Sequence, residues 1–492
     1  MVRVYGIVAA VLLSVGSASA ALETSTPQAE GVPPATAVHF LGELEKRQWP
    51  DSEIESFVVL KNGKIIAEAY RAPYAADIRR GVASVTKGFT GIAVGFAVQE
   101  GLLSLDDKVI DFFPGRLPDP LPEAAKKLTV RNLIQMQTGQ DKCAAGAMFD
   151  ENDHVRGFFN EPFVHEPGTV FRYNSGASWM LSQIITKVTG KSMAEYLKPR
   201  LFAPLDFGEF SWDADDAGVN YGGWGLSITT RQMAIFGQFC VQKGEWNGKQ
   251  LLNRGWFEQM TASPADTCNR KANGADWNYG YGLHVWLTHI NGVTRFDGSG
   301  GQYILMLPEQ NAVVAAQGSV RDFVPFMTDF WNYLYPGLCG MRVPPVKDAA
   351  AEWDAELADF KCALPVSCQA GFPAHVAVDF EKNDMDIVSL EVTFDGKAAQ
   401  VSFNGQPNGV FTVGEWRKNV QPPTHERDFL RSFFGAAAIT APNELTLACC
   451  SFGLGSGVCQ MKIKAGDLDV EFELNDGRHP FALKGTRRSE CR

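Results

Sequence analysis

The sequence predicts an α+β protein of two domains, the first mixing helices with antiparallel strands and the second an all-β sandwich or barrel. Three observations carry this. At 492 residues the chain is too long for one core of ordinary size. Up to residue 343 helical and strand patterns are interleaved. After Pro344-Pro345, a linker signature, mainly short strands separated by turn residues remain. The expected boundaries are a signal segment at 1–20, a flexible leader at 21–36, a first domain at 37–343 and a disulfide-containing β-rich domain at 350–492.

The elements follow in order. Ala37 to Arg47 reads as a helix. Phe57 to Leu60, Asn62-Gly63 and Lys64 to Tyr70 spell a hairpin, since Asn-Gly tolerates the positive φ values of a tight turn. Gly91 to Val98 is apolar and uncharged, hence a buried helix, and Gly101 suits its left-handed cap. Thr129 caps a helix that opens at Val130. Residues 140–162 read as a polar loop rimming a site. Ser178 to Val188 is an amphipathic helix closed by Gly190, and Thr229 opens another through Phe239. Residues 279–287, 293–297, 303–307 and 312–317 read as strands, with Gly298 to Gln302 a tight turn, and Val324 to Tyr335 is a helix. In the second domain strands are expected at 376–380, 388–394, 397–403, 445–450, 460–464 and 468–474.

Composition narrows the function. A chain 45% hydrophobic and 21% charged is ordinary globular material. Its net charge of −11 argues against nucleic acid or an anionic membrane surface as partner. The 8 histidines show no metal-ligand spacing, so no metal or other cofactor is expected. Arg3, the apolar run Val4 to Val15 and Ala18-Ser19-Ala20 make a secretory signal cleaved near Ala20/Ala21. That run is too short to span a bilayer, so the expectation is a secreted or periplasmic protein without a stable membrane anchor. The 10 cysteines fit an oxidising compartment. Cys143, Cys240, Cys268 and Cys339 belong to the first part, and Cys362, Cys368, Cys449, Cys450, Cys459 and Cys491 to the last. Both sets are even, so each domain could be stapled internally, with connectivity open. The neighbours Cys449 and Cys450 would face opposite sides of a strand and need different partners.

One stretch carries chemistry: Val82-Ala83-Ser84-Val85-Thr86-Lys87-Gly88. Ser84 stands at the start of the buried helix, near unpaired N–H groups and the positive end of its dipole. Lys87, one turn on, falls on the same face. Burial and the helix N-terminus both disfavour its ammonium form, and a neutral amine there can take the proton from Ser84 and make it a nucleophile. A lone Ser-x-x-Lys also arises by chance in a chain this long, so the surroundings must support it.

They do so as a resemblance. Ser84-Val-Thr-Lys87, Gly101 to Asp107, Thr129 to Ile134, Phe171-Arg-Tyr-Asn-Ser-Gly176, Gly222-Gly-Trp-Gly-Leu-Ser227, Gly300-Gly-Gln-Tyr-Ile304 and Pro308-Glu309 stand in the order found in the serine β-lactamase and penicillin-binding-protein superfamily. Roughly residues 38–335 resemble its class C β-lactamase-related branch, which includes esterases, D-aminopeptidases and 6-aminohexanoate-dimer hydrolases. The resemblance implies an antiparallel sheet flanked by helices plus a helical subdomain. It implies Ser84 as acyl-forming nucleophile, Lys87 as base and Tyr173 as the catalytic tyrosine that shuttles protons. The oxyanion would sit between the backbone N–H of Ser84 and one near Ser299, with Gly298 and Gly300 allowing close approach. The bland alternative for Tyr173 is a core aromatic, and for Gln302 and Tyr303 a structural role.

Two departures shape the substrate. Ser175 replaces the asparagine that in the family helps bind a substrate amide and positions the lysine. Phe296-Asp297-Gly298 replaces the motif that offers a cation to a substrate carboxylate, which penicillins and D-Ala-D-Ala peptides both carry. The expectation is therefore an exported esterase or amidase acting on a small-molecule or peptide-like substrate, closest in motif to the 6-aminohexanoate-dimer hydrolases. The alternative is an inactive or slowly acylating penicillin-binding-like binding or assembly protein. Phe481-Ala-Leu-Lys-Gly485 resembles the last strand of lipocalin-like barrels appended to some relatives. Substrate identity, oligomeric state and the principal base are left open.

Overall fold

The computed structural model describes residues 22–47, 52–268, 276–320, 322–383, 386–420, 432–451, 458–467, 469–475 and 481–488. The signal segment and Cys491 lie outside them. The first domain is built on an antiparallel sheet of β1 (Ser52–Lys61), β2 (Lys64–Tyr70), β3 (Trp286–Leu287), β4 (Thr294–Gly298), β5 (Gln302–Leu307) and β6 (Ala312–Val320), in the order β2-β1-β6-β5-β4-β3. The hairpin turns where expected, at Asn62 (φ 54°) and Gly63 (φ 78°). Both faces of this sheet are covered, and strand periodicity divides the apolar residues between them. Phe57 and Val59 of β1 join one core with α1 (Ala35–Glu45), and Val58 and Leu60 join the other.

The second face carries α2 (Thr86–Gln99), beyond which lies the helical subdomain containing α3 (Ser175–Thr189); α4 (Thr230–Val241) packs on the sheet beside α2. Helix α2 is buried on nearly every side, as its uncharged stretch Gly91 to Val98 requires. Its glycines admit close neighbours: a Cβ at Gly88 would lie 2.8 Å from the Phe296 ring, and one at Gly95 2.6 Å from Trp256. Thr129 and Thr229 both cap helices through capping boxes, and Gly190 closes α3 in the left-handed region. Two expectations need correction. Residues 22–34 are no flexible leader: Ile65 exchanges backbone hydrogen bonds with Glu23 and Ser25, Glu30 pairs with Lys64, and Val32 is buried in the core. The stretch 140–162 is no continuous loop but contains the short helices Ala145–Phe149 and His154–Asn160, the second capped by Asp153.

The second domain begins later than expected. Helix Ala349–Asp359 packs on the first domain, with the Trp353 ring edge-on to Phe57. The β-rich fold starts at β7 (His375–Phe380) and continues through β8 (Ser389–Phe394), β9 (Ala398–Phe403), β10 (Gln406–Val413), β11 (Arg417–Val420), β12 (Ser432–Ala441), β13 (Glu444–Ser451), β14 (Val458–Ala465), β15 (Asp469–Asn475) and β16 (Phe481–Arg487). Of sandwich and barrel, it is the barrel: the meander β10-β9-β8-β7-β16-β15-β14-β13-β12 closes where β10 pairs in parallel with β12, and β11 adds to β12 outside the ring. Inward residues such as Val392, Val401, Leu447, Met461 and Phe472 fill it. The barrel meets the first domain at Tyr74, Ile78 and Cys362 against Phe434, Ala448 and Cys450. No disulfide joins two of the described cysteines, unlike the internal stapling expected from the sequence. Two pairs are nevertheless adjacent: Cys362 and Cys450 are in hydrogen-bond contact, and Cys449 faces Cys459 across β13 and β14.

A buried ionic corner joins the sheet to the turn carrying Ser84. Arg80 donates to Glu55 at 2.8 Å, Arg71 lies 3.4 Å from Glu53, and all four are buried. Burial and the neighbouring Glu55 raise the Glu53 carboxyl above the usual carboxylate range. Arg80–Gly81 pairs with Leu226–Ile228 four residues ahead of Ser84. Replacing Arg80 with Met would strand Glu55 in the interior, and a loss of about 3–5 kcal/mol is expected in urea unfolding. A loss below about 1 kcal/mol would show that the pair does not hold this corner.

Candidate active site

Ser84 sits in the short 3-10 turn Ala83–Val85, which runs straight into α2 at Thr86. The backbone is forced there. Ala83 has φ 47°, a left-handed conformation that costs a non-glycine residue on the order of 1–2 kcal/mol. The Thr86 hydroxyl donates to the Ala83 carbonyl at 2.6 Å and fastens the turn. The Ser84 side chain is left partly exposed while both neighbours are buried.

Lys87 is 2% exposed, and its amine meets three oxygens. Nζ lies 3.0 Å from Ser84 Oγ, 3.1 Å from Ser175 Oγ and 2.8 Å from the Gly223 carbonyl. Burial pushes its pKa down from 10.5 to about 7, against smaller upward pulls from Cys143 and Asp297. None of the three oxygens is a carboxylate, so nothing in direct contact restores the ammonium form. In the neutral amine the contact with Ser84 reverses: the serine O–H donates to the nitrogen lone pair. Nζ also lies 4.9 Å from the centroid of the Tyr173 ring, which stacks on Trp286. The tyrosine ring thus lies over the lysine amine while packing on Trp286.

Ser175 begins α3, and its hydroxyl accepts from the Lys87 amine at 3.1 Å. The preceding Asn174 does not take the substrate-binding role. It is buried, caps α3 by accepting from the Ala177 N–H, accepts from the Ala144 N–H, and donates to Gln140 at 2.8 Å. Gly298 ends β4 directly behind Ser84: a Cβ there would lie 2.5 Å from the Val82 carbonyl and 3.0 Å from the Ser84 nitrogen. Ser299 is exposed beside it, and Gly300 turns with φ 83°. The strand end and the Ser84 turn therefore converge, with no room for a side chain between them. Asp297 is committed elsewhere, accepting from Trp277 Nε1 at 2.8 Å and Arg295 Nε at 3.2 Å. Gln302 donates to the carbonyls of Gly300 and Gly318, and Tyr303 is buried against Phe326, so both are structural.

Three contributors escaped the sequence reading. The Gly223 carbonyl takes the lysine, and the Gly-Gly-Trp-Gly segment was its only signal. Cys143, counted there as a disulfide candidate, accepts the Ser175 N–H at 3.2 Å, a contact across 32 residues that has no local signature. His284 is a buried strut between Ser178 Oγ and the Ile134 carbonyl, its pKa pushed down to about 3 by burial and by Lys87.

Against known proteins, the family model described as Beta-lactamase matches residues 55–321. The 6-aminohexanoate-dimer hydrolase of Paenarthrobacter ureafaciens is 26% identical over 45% of this chain, which spans 60% of that relative. Penicillin-binding protein 4 of Amycolatopsis lactamdurans is 27% identical over 55% of this chain and 79% of its own. Among solved structures, EstCE1, a hydrolase with promiscuous acyltransferase activity, superposes on 61% of this chain with a TM-score of 0.52 at 14% identity, a likeness of fold.

The depressed lysine has a consequence for stability. Between pH 7 and 10.5 the unfolded chain holds a proton that the native Lys87 does not, so this group makes stability rise with pH across that window. Lys87→Met removes the buried amine. It is expected to exceed the wild type in stability near pH 6 and to lose the advantage by about pH 10 in urea unfolding; a pH-independent difference would refute the depressed pKa.

Proposed function

The chain belongs to the beta-lactamase family of serine hydrolases, and from that premise we propose an exported esterase or amidase that works through an acyl-enzyme on Ser84. The observation that carries the reading is the buried Lys87 amine 3.0 Å from Ser84 Oγ, with its pKa near neutrality. At neutral pH the free amine accepts the serine proton as Oγ attacks the substrate carbonyl. The oxyanion that forms is received by the Ser84 N–H and by the backbone at Ser299. As the tetrahedral intermediate collapses, the bond to the leaving group breaks, and Lys87 returns the proton to it with Tyr173 as the relay. Water then attacks the acyl-enzyme, the same pair takes its proton, and Ser84 leaves with that proton restored.

The substrate class follows from the third motif. Asp297 is held by Arg295 and Trp277, so that position offers no cation to a substrate carboxylate. This favours uncharged esters and amides over penicillins. The relative named as a 6-aminohexanoate-dimer hydrolase supports an amide as the bond cleaved.

Intact mass after exposure to a fluorophosphonate probe is the direct test. One adduct on the wild type and none on Ser84→Ala is expected, and the rate of labelling should rise with pH through an inflection near 7. Absence of an adduct on folded wild type would move the reading to a non-catalytic binding protein. A stable penicillin adduct without turnover would indicate a slowly acylating penicillin-binding-like one.

Export is supported by the signal-like segment Arg3 to Ala20 and by the paired thiols. In an oxidising compartment each pair would lose two protons and two electrons to a thiol–disulfide oxidant and close a bridge. Peptide mapping without reduction, on protein from the periplasm or medium, is expected to recover Cys362–Cys450 and Cys449–Cys459. Free thiols at all four positions would count against export.

A further inference from the structure

The end of β4 reaches Ser84 with a strand on one side of it. Among the described residues β3 pairs with β4 at Thr294 and Arg295 only, so Phe296, Asp297 and Gly298 have β5 as their sheet neighbour. Strand alternation divides these residues between the two faces. Phe296 and Gly298 face α2 and the Ser84 turn. Arg295 and Asp297 face the other way, opposite Leu305 and Tyr303, which lie in the core shared with α1. There the fully buried Arg295 stands between two carboxylates. Its Nε donates to Asp297 at 3.2 Å, and its Nη1 lies 4.0 Å from Asp276. Each carboxylate also accepts an indole N–H, Asp297 from Trp277 at 2.8 Å and Asp276 from Trp331 at 2.9 Å. His289 Nδ1 meets Asp276 as well, at 3.1 Å. The network ties the end of β4 to the Asp276-Trp277 segment and to the helical turn Phe330–Leu334.

We propose that Arg295 is a positioning residue for the oxyanion: it holds Asp297 from the face away from Ser84 and so fixes the backbone N–H at Ser299 that receives the developing charge. The inference rests on the acyl-enzyme reading above. Arg295 does not act on the substrate itself, because its side chain and the Ser84 turn lie on opposite faces of the sheet. Its effect passes along the strand. Removing the guanidinium would leave Asp297 and Asp276 desolvated with their counter-charge gone. Each carboxylate then gains by moving toward water, and Asp297 moves by carrying Gly298 and Ser299 with it. An oxyanion donor acts only at hydrogen-bond distance from the developing charge, and a misplacement of about 1 Å costs roughly a hundredfold in rate.

The test compares p-nitrophenyl acetate with its thiono analogue, in which sulfur replaces the carbonyl oxygen, on the full chain. Sulfur accepts hydrogen bonds weakly, so the oxygen-to-sulfur ratio of kcat/KM reads the oxyanion donors and does not depend on the folded fraction. Arg295→Gln is expected to lower kcat for the oxygen ester about ten- to hundredfold with KM within about twofold, and to lower the ratio about fivefold or more. Arg295→Lys, which can still pair with Asp297, should recover part of both. Trp277→Phe keeps an aromatic ring and removes one N–H from Asp297, and it should move both quantities the same way by about threefold. The proposal is overturned if kcat of Arg295→Gln stays within about threefold of the wild type, or if kcat falls while the ratio does not. Should Arg295→Gln show no cooperative unfolding in urea, Trp277→Phe, changed at a half-buried position, decides on the ratio. Fluorophosphonate labelling separates the two ideas. An adduct on the wild type with an unchanged ratio in the variants sinks the positioning role alone, whereas no adduct on the wild type sinks the acyl-enzyme and this role with it.

Discussion

Everything at the centre of this protein depends on keeping one amine out of water. Lys87 is enclosed by α2, the start of α3 and the Gly222–Gly223 segment, and its contacts are hydroxyl and carbonyl oxygens rather than a carboxylate. A lysine on the surface would hold its proton until well above neutrality. Burial removes the solvent that favours the ammonium ion, and the chosen partners do not replace it. The result is an amine whose pKa is pushed down to about 7, in contact with a serine hydroxyl.

Enclosure of that kind needs close backbone approach from several directions, and the scaffold supplies it. Gly298 brings the end of β4 onto the Ser84 turn with no room for a side chain. A Cβ at Gly223 would stand 3.3 Å from Ser175 Cβ and 3.4 Å from Lys87 Nζ. The turn itself holds Ala83 in a conformation that isolated chains avoid, so surrounding structure must over-determine it. The Arg80–Glu55 pair upstream and the rigid α2 downstream do so from either side.

The barrel stands apart from this machinery. It is packed through its interior, and it touches the first domain through Phe434, Ala448 and Cys450, at a corner that also contains the buried carboxylates of the sheet. Its contact at Tyr74 and Cys362 sits beneath the strand that leads into Ser84, so its contribution from there is to the stability of that corner.

Local signals determined a great deal from sequence alone. Asn62-Gly63, Thr129, Thr229, Gly101 and Gly190 act within a turn or two of themselves, and the structure has a turn or a helix end at each. The spacing of Ser84 and Lys87 is a one-turn relation and needed no tertiary information. What only the tertiary structure decided lies at long range. The docking of residues 22–34 depends on an edge strand they have to find, and a Pro- and Ala-rich composition does not announce it. The choice between sandwich and barrel rested on a parallel pairing of Thr412 and Val413 with Ala436 and Ala437, which no strand pattern encodes. The carbonyl of Gly223 and the thiol of Cys143 became part of the site because folding carried them to Lys87 and Ser175. A backbone oxygen carries no mark of its eventual partner in the sequence; its position is set by the packing of the whole domain.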